Sequence, residues 1–375
     1  MKKINILISF GTRPEGIKLA PVIKCIEKQK DKFNLNICST GQHKEMLNQV
    51  LNLFEIKPDI FLNLMTENQT LSLLSTKLFK KMEKVISDTS PDIVLVQGDT
   101  TTAFLTALIA FYRKIKVGHV EAGLRTYDKY NPFPEEINRQ LISRIADFNF
   151  TPTKKTFSNL LSEGINSETI FITGNTIVDA LIWMTSRIEK NKDKIESNEI
   201  FKNLKNDKTI LVTMHRRESF GKDIENICYA LKIVASKYKD IKIVYPVHLN
   251  PNVRKPVFEI LSKIDNIILT DPLDYGSFVW LMYKSFFIIT DSGGIQEEAP
   301  TFKKPVLVIR NKTERTESVD MGISKLVGTS IDSIVDNISK LIGNKRIYDK
   351  MITNVNPYGD GKASEKIVDI IYNNL

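Results

Sequence analysis

Short runs of β-branched and aliphatic residues alternate with amphipathic helical segments along almost the whole chain. The pattern predicts strands over 4–9, 35–38, 93–96, 116–120, 209–212, 242–245, 267–269, 287–290 and 306–309. Several of these runs are apolar at consecutive positions, as strands covered by helices on both faces must be. Helical periodicity fills the intervals, most clearly over 71–86, 135–145 and 224–236. Such alternation predicts an α/β fold with doubly wound sheets. One interruption stands out. Between 172 and 209 the chain reads as a linker, a helix over 178–190 and a polar stretch rich in Lys, Asn, Glu and Ser. A domain boundary is therefore expected at 170–176, separating 1–172 from 176–360. The final segment, 361–375, carries a helix from Ser364 that follows the turn-rich Asn356 to Gly361 and suits either domain.

Length, composition and charge sharpen this picture. A length of 375 residues exceeds one ordinary core, so two domains are expected. Cys25, Cys38 and Cys228 are too few and scattered for a disulfide framework, and no CxxC pair suggests zinc or redox work. The start, two lysines before an apolar run, resembles a signal peptide, but the run is short, contains Asn5 and meets Arg13 and Glu15. A first strand is the better reading. The longest apolar stretch, 104–112, is far below the ~18 residues of a membrane span, so a soluble, cytoplasmic protein is expected. A net charge of +9 suits nucleic acid, an anionic membrane or an anionic small molecule. The basic residues form no aromatic-interleaved stripe, which leaves nucleic acid unsupported.

In open α/β sheets ligands sit outside the carboxyl ends of the strands, so polar residues just after a strand carry the candidate chemistry. After the first strand, Gly11 permits a tight turn and Pro14 suits a first helical turn. Arg13 and Lys18 add positive charge at a helix start that can receive an anion. Asp99 follows the strand at 93–96, where a helix N-cap is expected. Glu121 ends the strand at 116–120 with no comparable capping role. Glu135 or Glu136 opens a further helix after Pro134. Carboxylates gathered at one sheet edge raise each other's pKa, which makes acid–base work possible near neutral pH. In the second half, His215, Arg216 and Arg217 follow a strand, and His248 follows the next. Ser292, Gly293 and Gly294 open a helix as a diphosphate cradle, with Glu298 one turn on as a ribose acceptor. His43, His119, His215 and His248 lie far apart in no metal-binding pattern, so no metal is expected.

Taken together, GTRPEGIK, GQHKEML, VQGDTTT, GHVEAGLRT, NPFPEEINRQ, TGNTIVDAL, MHRRESFG, PVHLNPNV, DPLDYGSFV, TDSGGIQEEAP and NPYGDGKASE resemble the bacterial non-hydrolysing UDP-N-acetylglucosamine 2-epimerases, in order from residue 11 to 365. The resemblance implies two Rossmann-like doubly wound domains in a glycosyltransferase-B arrangement with a central cleft, and a last helix that packs back on the first domain. It implies a homodimer, no cofactor, and reversible conversion of UDP-N-acetylglucosamine to UDP-N-acetylmannosamine for surface polysaccharide. It places acid–base roles on Asp99, Glu121 and Glu135, with His215 in proton transfer or diphosphate stabilisation. Arg13, Lys18, Arg216, His248, Ser292, Gly293, Gly294 and Glu298 fall to substrate binding. Some members bind a second UDP-N-acetylglucosamine as an activator, and Gln42 and His43 match that region. Glu45, where some members carry Gln, and the loop from Arg310 to Glu317 depart from the family pattern. A hydrolysing 2-epimerase, an epimerase for another UDP-acetamido sugar, a glycosyltransferase and a nucleotide-sugar sensor are the competing expectations.

Overall fold

A computed structural model of the chain describes residues 2–41, 44–66, 69–190, 199–202, 204, 208–353 and 355–375. The chain divides into two compact units, Met1–Ala180 with Tyr358–Leu375, and Leu181–Pro357. Each is built on one sheet.

The sheet of the first unit contains β1 (Ile4–Phe10), β2 (Phe33–Ser39), β3 (Ile60–Phe61), β4 (Ile93–Gln97), β5 (Lys116–Val120), β6 (Phe148–Thr151) and β7 (Ile170–Ile172). Its order is β3-β2-β1-β4-β5-β6-β7, and every pairing is parallel. The second unit holds β8 (Lys208–Thr213), β9 (Ile241–Pro246), β10 (Ile267–Thr270), β11 (Phe287–Thr290), β12 (Val306–Val308) and β13 (Ser324–Leu326), all parallel, in the order β10-β9-β8-β11-β12-β13. Every residue of β4 and β11 is buried, which explains their unbroken apolar runs. Both orders reverse once, between β1 and β4 and between β8 and β11. Each sheet therefore has a switch point at which consecutive crossovers lie on opposite faces.

All nine strands expected from the sequence are present. Those missed are β3, β6, β7 and β13, which are short or polar at buried positions. In β6 all four residues are buried although Asn149 and Thr151 are polar, and polar residues mask a strand in a hydrophobic pattern. The division between the units falls inside the helix Thr176–Lys190, not in the linker before it. The first turn of that helix is held to the C-terminal segment. The Asp179 carboxylate accepts from the N–H groups of Ala363 at 3.3 Å and Ser364 at 2.8 Å, capping the last helix, Ala363–Asn374. Among the described residues no helix is long and apolar enough to cross a membrane.

Candidate active site

In the first unit the candidate residues leave β1, β4 and β5 at the carboxyl edge, beside the switch point. The helix Arg13–Glu27 is capped by Thr12, with Glu15 closing the box. The Glu15 carboxylate accepts from the N–H groups of Gly11 and Thr12 at 3.0 and 2.8 Å, and from the Thr12 hydroxyl at 2.8 Å. It also accepts from the Thr100 hydroxyl at 2.7 Å, which ties the loop after β1 to the loop after β4. Burial raises the Glu15 pKa against the opposing pull of these donors. Sequence reasoning gave Glu15 no role.

The N-cap of helix Thr101–Tyr112 is Thr100, whose hydroxyl accepts from Ala103 N–H at 3.0 Å. Asp99 is not the cap, as its position had suggested. Its carboxylate is free of that duty and instead accepts from Arg139, with Nε at 2.8 Å and Nη2 at 2.7 Å. Its backbone carbonyl accepts from Asn138 Nδ2 at 2.8 Å.

Glu121 is almost fully buried at 8% exposure, and its φ of 65° turns the chain sharply away from β5. A non-glycine residue there costs about 1–2 kcal/mol, a strain that recurs at functional positions. Its carboxylate accepts from Lys18 Nζ, Gln97 Nε2 and, at 3.3 Å, Asn175 Nδ2. Two residues later Gly123 has φ of 90°, and a Cβ there would lie 2.3 Å from the Thr156 carbonyl oxygen. Gly123→Ala should cost at least about 2 kcal/mol, since strain and backbone clash combine, as a urea unfolding midpoint will show. His119, on β5, meets the Gly98 carbonyl at 2.7 Å and links the segments that bear Asp99 and Glu121. Burial lowers its pKa to about 4, so the imidazole is neutral.

Glu135 and Glu136 part company. Glu136 is fully buried and accepts from the N–H groups of Thr126 and Tyr127, from Gln140 and from Arg139. Burial works to raise its pKa, but these donors win and lower it. It anchors the loop after Glu121. Glu135 is partly exposed at the start of helix Glu135–Ile145. The expectation that these carboxylates abut and raise each other's pKa is corrected: hydrogen-bond donors, not one another, engage Asp99, Glu121 and Glu136. Arg13 is partly exposed, and the Lys18 side chain is 16% exposed.

The second unit gathers its candidates after β8 and β11. Asp291 is fully buried, and one of its oxygens accepts from the N–H groups of His215 and Arg216, both at 2.9 Å. The His215 ring Nδ1 stands 3.4 Å from the other oxygen, off the hydrogen-bond direction. His248 faces His215 with ring centroids 6.1 Å apart, and its Nδ1 accepts from Asn250 N–H. Partial burial, aided by His248 and Arg216, lowers the His215 pKa, while Asp291 pulls it upward.

Ser292 stands at the N-cap of helix Gly293–Glu298 and makes no capping bond. A Cβ at Gly293 would lie 3.4 Å from the Arg315 guanidinium and 3.6 Å from Arg216 Nη2. A Cβ at Gly294 would lie 3.6 Å from Glu298 Oε1. Two guanidiniums thus stand over the glycine turn. Arg315 was not among the expected residues. Its signal is its place in the loop after β12, at the same sheet edge. Arg315 pairs with Glu297 at 2.7 Å, and Glu314 lies among Arg216, Arg310 and Arg315. Burial works to raise Glu314, yet these arginines hold it at about 2. Gln42 and His43 lie outside the described residues, as does the side chain of Arg217.

Known proteins place this arrangement. The sequence profile of the UDP-N-acetylglucosamine 2-epimerase family matches residues 26–372. A protein of Campylobacter jejuni named UDP-N-acetylglucosamine 2-epimerase is 56% identical over 373 residues, covering 98% of this chain and 97% of its own. The crystal structure of the Neisseria meningitidis UDP-GlcNAc 2-epimerase bound to UDP-GlcNAc superposes with a TM-score of 0.91 at 47% identity, covering 99% of this chain and 100% of that one. The Methanocaldococcus jannaschii enzyme in complex with UDP-GlcNAc and UDP gives 0.81 at 35% identity, covering 98% and 99%. Two Rossmann-like doubly wound domains of the glycosyltransferase-B class, at this level of identity over nearly the full length, leave one conclusion: the chain belongs to the UDP-N-acetylglucosamine 2-epimerase family.

Proposed function

We propose that the chain interconverts UDP-N-acetylglucosamine and UDP-N-acetylmannosamine without hydrolysis, by anti elimination of UDP and its re-addition. The observation that carries this reading is Glu121: a buried carboxylate at a strained turn, contacted by Lys18, beside the loop that bears Asp99. The substrate dictates the route. The C2–H bond is not next to a carbonyl, so direct deprotonation is too costly. UDP is a good leaving group. The C1–O bond breaks with its electron pair going to the diphosphate, a base takes the C2 proton, and a C1=C2 double bond forms. The product is 2-acetamidoglucal. UDP then re-adds at C1 while a proton returns to the opposite face of C2.

Two faces need two proton-transfer groups, and Glu121 with either Asp99 or Glu135 supplies them. Arg139 pairs with Asp99 and Lys18 with Glu121, so each carboxylate is held by a cationic partner. Developing charge on the diphosphate needs fixed cations and donors. Arg13, Lys18, Arg216, Arg315 and His215 fill that need, with Ser292, Gly293 and Gly294 on phosphate oxygens, His248 beside His215, and Glu298 on the ribose. The relatives solved with UDP-GlcNAc and UDP support this choice of substrate.

Incubation with UDP-N-acetylglucosamine in deuterium oxide, followed by NMR, tests the reading. The manno epimer should accumulate with deuterium at C2, while free UDP stays far below one equivalent. Stoichiometric UDP with free N-acetylmannosamine would establish the hydrolysing reaction instead.

A further inference from the structure

Asn175 is a buried amide, 2% exposed, just before the helix Thr176–Lys190. Its Oδ1 accepts from Ile177 N–H at 3.1 Å, as an N-cap does. That commitment turns the amide nitrogen toward Glu121 Oε1 at 3.3 Å. Its backbone N–H donates to the Tyr358 carbonyl at 2.7 Å. The adjoining contact is backbone against backbone: a Cβ on Gly359 would lie 3.2 Å from Gly174 Cα, and a Cβ on Gly174 would lie 3.3 Å from Gly359 Cα. Asn175 is thus fixed from both ends, by its own helix and by the returning C-terminal segment.

We propose that Asn175 is a positioning residue that sets the orientation of the Glu121 carboxylate and keys it to the segment at Tyr358–Gly359. The proposal rests on the acid–base assignment of Glu121 made above. Donors on both carboxylate oxygens, Gln97 on one and Lys18 with Asn175 on the other, fix the rotation of the carboxylate plane. A neutral amide adds orientation without placing a further charge beside the carboxylate. The described donors to the Glu121 carboxylate are Lys18 from the first helix, neutral Gln97 from β4 and neutral Asn175. His119, two residues earlier on β5, is held near pKa 4 and stays uncharged at neutral pH.

Capping and positioning make opposite predictions for Asn175→Asp and Asn175→Ser. Both Asp and Ser cap helices as well as Asn. Capping alone leaves both variants intact. Positioning makes Asn175→Asp the more damaging, because it replaces a donor with a second carboxylate beside Glu121, and such a pair shares a proton and titrates higher. We expect kcat to fall about 30-fold or more for Asn175→Asp and about 10-fold for Asn175→Ser, with KM within about twofold. The limb of the kcat pH profile governed by Glu121 should move to higher pH in Asn175→Asp and stay in place in Asn175→Ser. The melting temperature of Asn175→Ser should stay close to the parent value. A parental kcat and pH profile in Asn175→Asp would overturn the proposal, as would losses that track melting temperature with no shifted limb. Glu121→Gln serves as the control. If it turns over normally, the assignment of Glu121 fails; if it is inactive while Asn175→Asp is unshifted, only the role of Asn175 falls.

Discussion

Glu121→Gln is expected to lower epimerisation by about 10³-fold or more while leaving the fold intact. The magnitude follows from the work assigned to this side chain. General acid–base catalysis contributes about 10²–10⁴-fold, and an amide can neither take nor return a proton at C2. The amide is close to isosteric, and its oxygen can still accept from the donors on one side of the carboxylate, Lys18 with Asn175 or Gln97. Substrate binding should therefore persist, with the loss in kcat and KM little changed. Solvent exchange sharpens the test. If Glu121 serves one face of C2 and Asp99 or Glu135 the other, Glu121→Gln should block deuterium incorporation from only one epimer. Starting separately from UDP-N-acetylglucosamine and UDP-N-acetylmannosamine then tells which face Glu121 serves. Equal exchange from both, at the parental rate, would remove Glu121 from proton transfer.

The sheets and the carboxyl-edge positions of the chemistry were legible in the sequence because both rest on local rules. Unbroken apolar runs mark buried parallel strands, and polar residues just after them mark the functional edge. Asp99, Glu121, His215 and Ser292 all stand where that rule puts them. What escaped was set by partners distant in sequence. The Thr100 hydroxyl, which caps the helix in place of Asp99, donates to Glu15, 85 residues away. The roles of Glu135 and Glu136 diverge because only one faces the N–H groups of Thr126 and Tyr127. Arg315 looked like part of an aberrant loop until the fold set it over Gly293. Buried polar strand residues such as Asn149 hid β6 for the same reason: their burial is a tertiary fact.

Asp291 offers the other large effect, and here two substitutions separate structure from chemistry. The fully buried carboxylate receives two backbone N–H groups, from His215 and Arg216, and lies 3.4 Å from the His215 ring. Asp291→Ala removes the acceptor and strands both donors, at about 1–3 kcal/mol each, so it should destabilise the second unit and release the loop after β8. Asp291→Asn keeps an oxygen for those donors and removes the charge. That charge is the influence that raises the His215 pKa against burial, His248 and Arg216. Without it the pKa of His215 falls further below the ordinary histidine value, and less imidazolium is present at neutral pH. With imidazolium stabilising the departing diphosphate, kcat/KM at neutral pH should fall about 10²-fold. The limb on which His215 loses its proton should shift to lower pH, so the variant recovers part of its deficit as the pH is lowered. A urea midpoint near that of the parent would show that the loss is electrostatic. A limb that stays in place, or moves upward, would mean that His215 acts neutral, as a proton acceptor or a plain hydrogen-bond donor to the diphosphate.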